Sequence, residues 1–142
     1  SGDIIGVNVA IASASEESGS IGVGFAVPIT YAERVAQEII RDGSATHGFL
    51  GVSVTPATAS DASTFTVGAE VAENPAAGTP AAQAGLKTGD VITAVNGIPV
   101  TDAQSLTAAI RMQAAGSKVT IDYSRGTSTD STDVTLGNSA DQ

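Results

Sequence analysis

His47 is the only histidine in the chain and so the only imidazole available as a general base near neutral pH. A lone histidine with no partner placed by spacing reads as structural or solvent-facing rather than catalytic. The chain contains no cysteine, which excludes disulfides, thiolate metal sites and thiol catalysis. Glu16, Glu17, Asp130 and Asp133 lie in polar stretches and read as solvated surface. Neither metal-ligand spacing nor a phosphate loop is present, since the glycines between Gly19 and Gly24 lack both the lysine and the strand-to-helix context such a loop needs. No metal site is expected.

Charge narrows the partners. Six Lys and Arg against 15 Asp and Glu give a formal net charge of -9, the wrong sign for nucleic acid or an anionic membrane. A peptide or protein partner is easier to accommodate. With 142 residues the chain can hold one domain, or one domain plus a fragment. Only 4% of residues are aromatic, so the core must come from Val, Ile, Leu and Ala. No apolar run is long enough to span a bilayer and no signal segment opens the sequence, so an export signal or anchor is expected outside it.

The elements that must position any site can be read in order. Asp3 to Ser13 alternates as a strand with Ile5, Val7, Val9 and Ile11 on one face; Ile21 to Val27 forms a second strand, ended by Pro28. A capping box from Thr30 to Glu33 predicts a helix over Tyr31 to Asp42, with Ala32, Val35, Ala36, Ile39 and Ile40 as its apolar stripe and Gly43 as its C-terminal cap. Phe49 to Val54 and Phe65 to Val71 read as strands separated by a loop from Pro56 to Thr64. Ala81 to Ala84 reads as a helical turn. Val91 to Val95 is a strand entering an Asn96-Gly97 hairpin, the strongest short-range hairpin signal. A second capping box, Thr101 to Gln104, predicts a helix over Ala103 to Ala114, followed by strands at Lys118 to Ser124 and Thr132 to Leu136 and a disordered tail.

Two strings carry a family resemblance. The segment Ala84-Gly85-Leu86, then Gly89-Asp90, Ile92 and Asn96-Gly97 closely resembles the central signature of PDZ domains, in particular those of HtrA-type bacterial serine proteases. Ahead of it, IIGVN, IGVGFAVP, a helix and HGFLGV resemble the end of the trypsin-like protease domain of those enzymes and its junction with a PDZ domain. The resemblance implies an α+β fold: a PDZ domain, a partly open antiparallel β-barrel or sandwich with two helices, preceded by a β-hairpin and helix from a trypsin-like double β-barrel. It implies protease strands over 1–30, a linker helix over 31–47, the PDZ domain over 48–137 and a disordered tail over 138–142.

A PDZ domain binds by strand addition, usually of a free C-terminus against a sheet edge and a helix. Here the resemblance implies an edge at Phe49 to Val54, a helix at Ala103 to Ala114, and backbone N–H groups around Gly48, Phe49, Leu50 and Gly51 to hold the terminal carboxylate. Leu50, Val52, Leu106, Ala109 and Ile110 would form the pocket for the last apolar side chain. Val52 and Ile110 serve equally well as plain core. Phe49 stands where relatives often carry tyrosine, and Ser105 stands where one specificity class carries histidine, which points to apolar-tailed ligands. No catalytic residue is expected, since the triad would lie upstream of Ser1; Ile11 is the candidate for lining the protease substrate cleft, with plain barrel core as its alternative.

The expected function is therefore the peptide-binding region of an HtrA-type serine endopeptidase, inactive alone, capturing C-termini of misfolded or regulatory proteins and regulating proteolysis in the parent. The resemblance implies no cofactor, a homotrimeric or higher parent, and a cell-envelope, periplasmic or secreted location. Competing readings are a non-catalytic PDZ scaffold, the PDZ domain of another membrane-associated protease, or a leading hairpin that pairs with another chain through its open edges.

Overall fold

A computed structural model describes residues 2–13, 20–58 and 66–141, with the side chains of 11–13, 20–23, 58, 66 and 141 left aside. The chain divides into two compact units, Ser1–Ala45 and Thr46–Gln142.

In the first unit, β1 (Gly6–Ser13) and β2 (Ser20–Pro28) form an antiparallel pair. Their register slips between Asn8 and Ala10, leaving Val9 as an extra residue, so the strict alternation expected along β1 is broken there. Helix α1 (Ile29–Asp42) follows at once and ends at Gly43, whose left-handed backbone lets its N–H reach the Ile39 carbonyl at 2.9 Å.

The start of α1 differs from expectation. Its N-cap is Pro28 rather than Thr30, with no side-chain cap, because proline presets the entry dihedral and the Ile29 N–H is satisfied by the Ile5 carbonyl at 3.1 Å. The expected apolar stripe also fails in part. Ile39 and Ile40 are 50% and 85% exposed, while Glu38 is buried and paired with Arg34 at 2.7 Å.

The second unit is built on a sheet of order β4 (Val54–Thr58), β5 (Thr66–Val71), β6 (Val91–Val95), β8 (Lys118–Arg125) and β9 (Ser128–Thr135), with β7 (Ile98–Pro99) pairing β6. Two helices complete it, the short α2 (Pro80–Gln83) and α3 (Ala103–Arg111). The fold is α+β with open sheets, as expected. Ile92, Ile121, Val71, Val95, Val119 and Val134 are almost fully buried at its centre. The Asn96-Gly97 turn has positive φ at both residues, 51° and 75°, which matches the right-handed twist of the flanking arms.

Further expectations are corrected here. The run Phe49 to Val54 is not one strand: β3 is only Gly48–Phe49, residues 50–53 are irregular, and β4 begins at Val54, so Pro56 lies in a strand rather than a loop. The cap of α3 is Asp102, not Thr101. Its carboxylate accepts from Ser105 N–H at 2.7 Å while the Ser105 hydroxyl accepts from Asp102 N–H at 2.9 Å. The helix also ends at Arg111, because Gly116 and its neighbours turn the chain into β8. Finally, the tail expected to be disordered holds β10 (Gly137–Asn138), which pairs β3, and a 3-10 turn at Ser139–Asp141. Ser139 N–H donates to the His47 carbonyl at 3.0 Å, fastening that segment down.

Candidate binding groove

The groove begins where the chain crosses from β3 to β4. Gly48 is wedged under the end of α3, with its N–H on the Gln113 carbonyl at 2.8 Å; a Cβ there would meet the Ile110 carbonyl at 2.5 Å. Gly51 turns through a φ of 76°, and a Cβ on it would stand 2.6 Å from Thr79. Only glycine fits both the dihedral and the space. The loop between them is pinned by the Leu50 carbonyl, which accepts from Ala81 N–H at 2.9 Å.

That pinning uses the carbonyl and leaves the donors. Among the described residues, the N–H groups of Leu50, Gly51 and Val52 engage no acceptor of the chain. Consecutive free N–H groups around a left-handed residue form a concavity suited to an anion.

Beside this loop lies a cleft of about 300 Å³ between β4 and α3, walled by Leu50, Val52 and Val54 on one side and Leu106, Thr107 and Ile110 on the other. Leu50, Leu106 and Ile110 are 3–5% exposed and belong to the main core as well, whereas Val52 and Val54 are half-buried at its edge. The volume falls at the small end of ligand pockets and suits one apolar side chain plus a stretch of backbone.

The residues singled out from sequence separate as follows. Gly48, Phe49, Leu50, Gly51, Val52, Val54, Leu106 and Ile110 all border the cleft. Ala109 does not; it packs against the core from a neighbouring position on α3. Ser105 is also absent from the lining, its hydroxyl committed to the helix cap by accepting from Asp102 N–H and donating to the Asp102 carbonyl at 2.8 Å. Ile11 pairs with Gly24 in the first unit, and its side chain lies outside the described residues.

Three lining residues escaped the sequence reading: Thr107, Arg111 and Ser139. Arg111 is exposed and makes no ion pair among the described residues, while Arg34, Arg41, Lys118 and Arg125 each make one. Its place in the last turn of α3, one residue after Ile110, was the available signal. Ser139 carried no signal, because its position depends on the β3–β10 pairing across nearly the whole second unit.

His47 sits beside this end of the groove with its ring Nδ1 3.3 Å from the Arg111 carbonyl. Its backbone carbonyl holds Ser139. Among the described residues no carboxylate or hydroxyl side chain bonds its ring, and the arrangement is structural. No group of three or more His, Cys, Asp or Glu side chains among them could hold a metal.

Outside the cleft lining, Asp90 is fully buried and gripped by Arg125 through two bonds of 2.6 and 2.7 Å, with Lys87 N–H adding a third at 2.8 Å. Burial works against the charged carboxylate. The guanidinium and the backbone donor outweigh that and hold its pKa below the ordinary value. This pair fastens the turn before β6 to the end of β8 and takes no part in the cleft.

The model of the PDZ domain family matches residues 48–136. The chain is 36% identical to a probable periplasmic serine endoprotease, DegP-like, of Rhizobium meliloti, over 96% of this chain and 27% of that protein. It is 42% identical to the serine protease PepD of Mycobacterium tuberculosis over 84% of this chain and 25% of that protein. Among solved structures it is similar to an HtrA-type protease, AlgW S227A, with a decapeptide: TM-score 0.61, 32% identity, 96% of this chain and 42% of that one. The chain thus spans about a quarter of the length of these curated relatives.

Proposed function

The chain belongs to the PDZ family across residues 48–136, and from that membership we propose that it captures the free C-termini of peptides and proteins as a strand added to the open edge of β4. The observation that carries this reading is the set of three unengaged N–H groups, among the described residues, at Leu50, Gly51 and Val52, which border an apolar cleft. A terminal carboxylate can accept there without a basic side chain. The last side chain then enters the cleft between Leu50 and Ile110, and the preceding residues run antiparallel along β4.

Two further features support the reading. β4 is the first strand of its sheet, so its outer edge is unpaired among the described residues. Arg111 adds a positive charge at the carboxylate end of a strongly acidic chain.

Within a longer protein, we infer that residues 48–137 are the PDZ domain of an HtrA-type serine endopeptidase, with residues 1–30 the close of its protease domain and 31–47 a linker. Binding of exposed C-termini of misfolded or regulatory proteins would regulate proteolysis by groups outside this chain, in a homotrimeric or larger assembly of the periplasm or cell envelope. The names of the relatives, periplasmic serine endoproteases similar across 96% of this chain, support that reading over a free-standing scaffold.

Peptides ending in Val or Ile, with free and with amidated C-termini, test the capture. The free acids should bind at least tenfold more tightly. Equal affinity would sink carboxylate capture.

A further inference from the structure

The outer edge of β4 is not uniform. In an antiparallel pair, successive residues turn their N–H and C=O alternately toward the partner and away from it. The Ser53 carbonyl accepts from Ala72 N–H at 2.9 Å, so position 53 faces β5. Val71, opposite Val54, instead directs its N–H to the Asp90 carbonyl and its C=O to Gly89 N–H, both away from β4. Position 54 therefore faces the open edge, and so does position 56, which is paired with Ala69 in the same register. Position 56 is proline, and it has no N–H to offer.

We propose that Pro56 ends the strand-addition edge, so that the groove reads only the last four residues of a C-terminal peptide. This rests on the peptide-capture reading above. With the carboxylate on the N–H groups of Leu50 to Val52, the last peptide residue lies beside Val52. Each step of two along β4 moves two residues back along the antiparallel peptide. The third residue from the end faces Val54 and exchanges two backbone bonds with it. The fifth from the end faces Pro56, where its N–H finds a carbonyl but its own C=O finds no donor. From that residue outward, added length brings no complete backbone pairing.

The geometry fits the position as well as the consequence. Within sheets proline is confined to edge positions whose missing N–H faces outward, to strand starts and to bulges, and position 56 is of the first kind. Pro56 is exposed, so the wild-type edge loses nothing within the chain by carrying it.

The test uses the full chain and free-acid peptides of four and six residues sharing the same last four, titrated against wild type and Pro56→Ala. In wild type the six-residue peptide, adding only the bond from its N–H to the Pro56 carbonyl, should bind less than tenfold more tightly than the four-residue one. In Pro56→Ala the four-residue peptide should be unchanged, while the six-residue peptide gains about three- to tenfold, the worth of one net hydrogen bond. Pro56→Val, a better strand former, should repeat the gain. A wild-type gain of tenfold or more from four to six residues overturns the proposal, as does a length response unaltered in both variants or a variant weakened on both peptides. If wild type binds neither peptide, or binds amidated forms equally, the capture reading itself fails. That outcome is visible before any variant is made.

Discussion

At Gly51 a single residue decides whether the proposed carboxylate site can form. Its φ of 76° turns the Leu50 to Val52 N–H groups outward, and Thr79 leaves no room for a Cβ. Gly51→Ala should cost on the order of 1–3 kcal/mol of stability from the backbone conformation alone. It should weaken peptide binding more than tenfold, as thermal melts and titration would record. Arg111 acts differently. Exposed at the groove and without an ion pair among the described residues, it should tune affinity through charge, so Arg111→Gln should lower affinity for free-acid peptides about three- to tenfold and flatten its salt dependence, leaving the melt unchanged. Ile110 is a poor probe of binding, because at 5% exposure it belongs to the core, and Ile110→Asp would test folding instead. The sequence made Gly48 through Val54 legible because their string is short and contiguous. It could not separate Leu106 and Ile110, which line the cleft, from Ala109, which does not, since helical spacing alone places all three within one turn of the same face.

At the scale of elements, the PDZ signature around Asp90 positions the groove without touching it. The Asp90–Arg125 pair joins the start of β6 to the end of β8, and Arg125 also stacks over Tyr123 at 5.1 Å. Because the folded pKa of Asp90 is depressed, the unfolded chain binds its proton first, and stability rises with pH between the folded value and the ordinary one. The contribution is complete above about pH 4, the ordinary aspartate value, and is lost as pH falls through the lower folded value. Asp90→Ala should therefore destabilise the second unit by about 2–3 kcal/mol at neutral pH, below the value for a wholly buried pair because Arg125 is half-exposed. Its melting temperature should also depend less on pH in that acid window than that of wild type. Element boundaries were less legible than element identity. The alternation in FLGVSV reads as one strand, but the left-handed turn at Gly51 breaks it, and both helix caps moved because a neighbouring group satisfied the same donors first.

At the scale of the whole molecule, the two units have separate prospects. The second carries its own core, sheet and groove, so a chain beginning at Thr46 should melt as one transition and bind peptides within about twofold of the full chain. The first unit displays Ile5, Val9, Phe25 and Ile40 at 54–87% exposure, a concentration of apolar surface that favours association. Removing residues 1–45 should accordingly reduce self-association in sedimentation velocity at high concentration. The order of the units and the fold class were legible because two independent strings fall in the order of one family. The β3–β10 pairing that closes the groove was not, since it joins residues almost ninety apart through two-residue strands with no pattern of their own.

The claim that matters most is that the Leu50, Gly51 and Val52 N–H groups receive a terminal carboxylate. Amide proton shifts measured by NMR during titration with a free-acid peptide test it at the atoms concerned. Those three resonances should move downfield together and saturate with the binding isotherm, and the amidated peptide should leave them in place. Saturating binding that leaves all three unmoved, or shifts confined to the β8–β9 face, would contradict it.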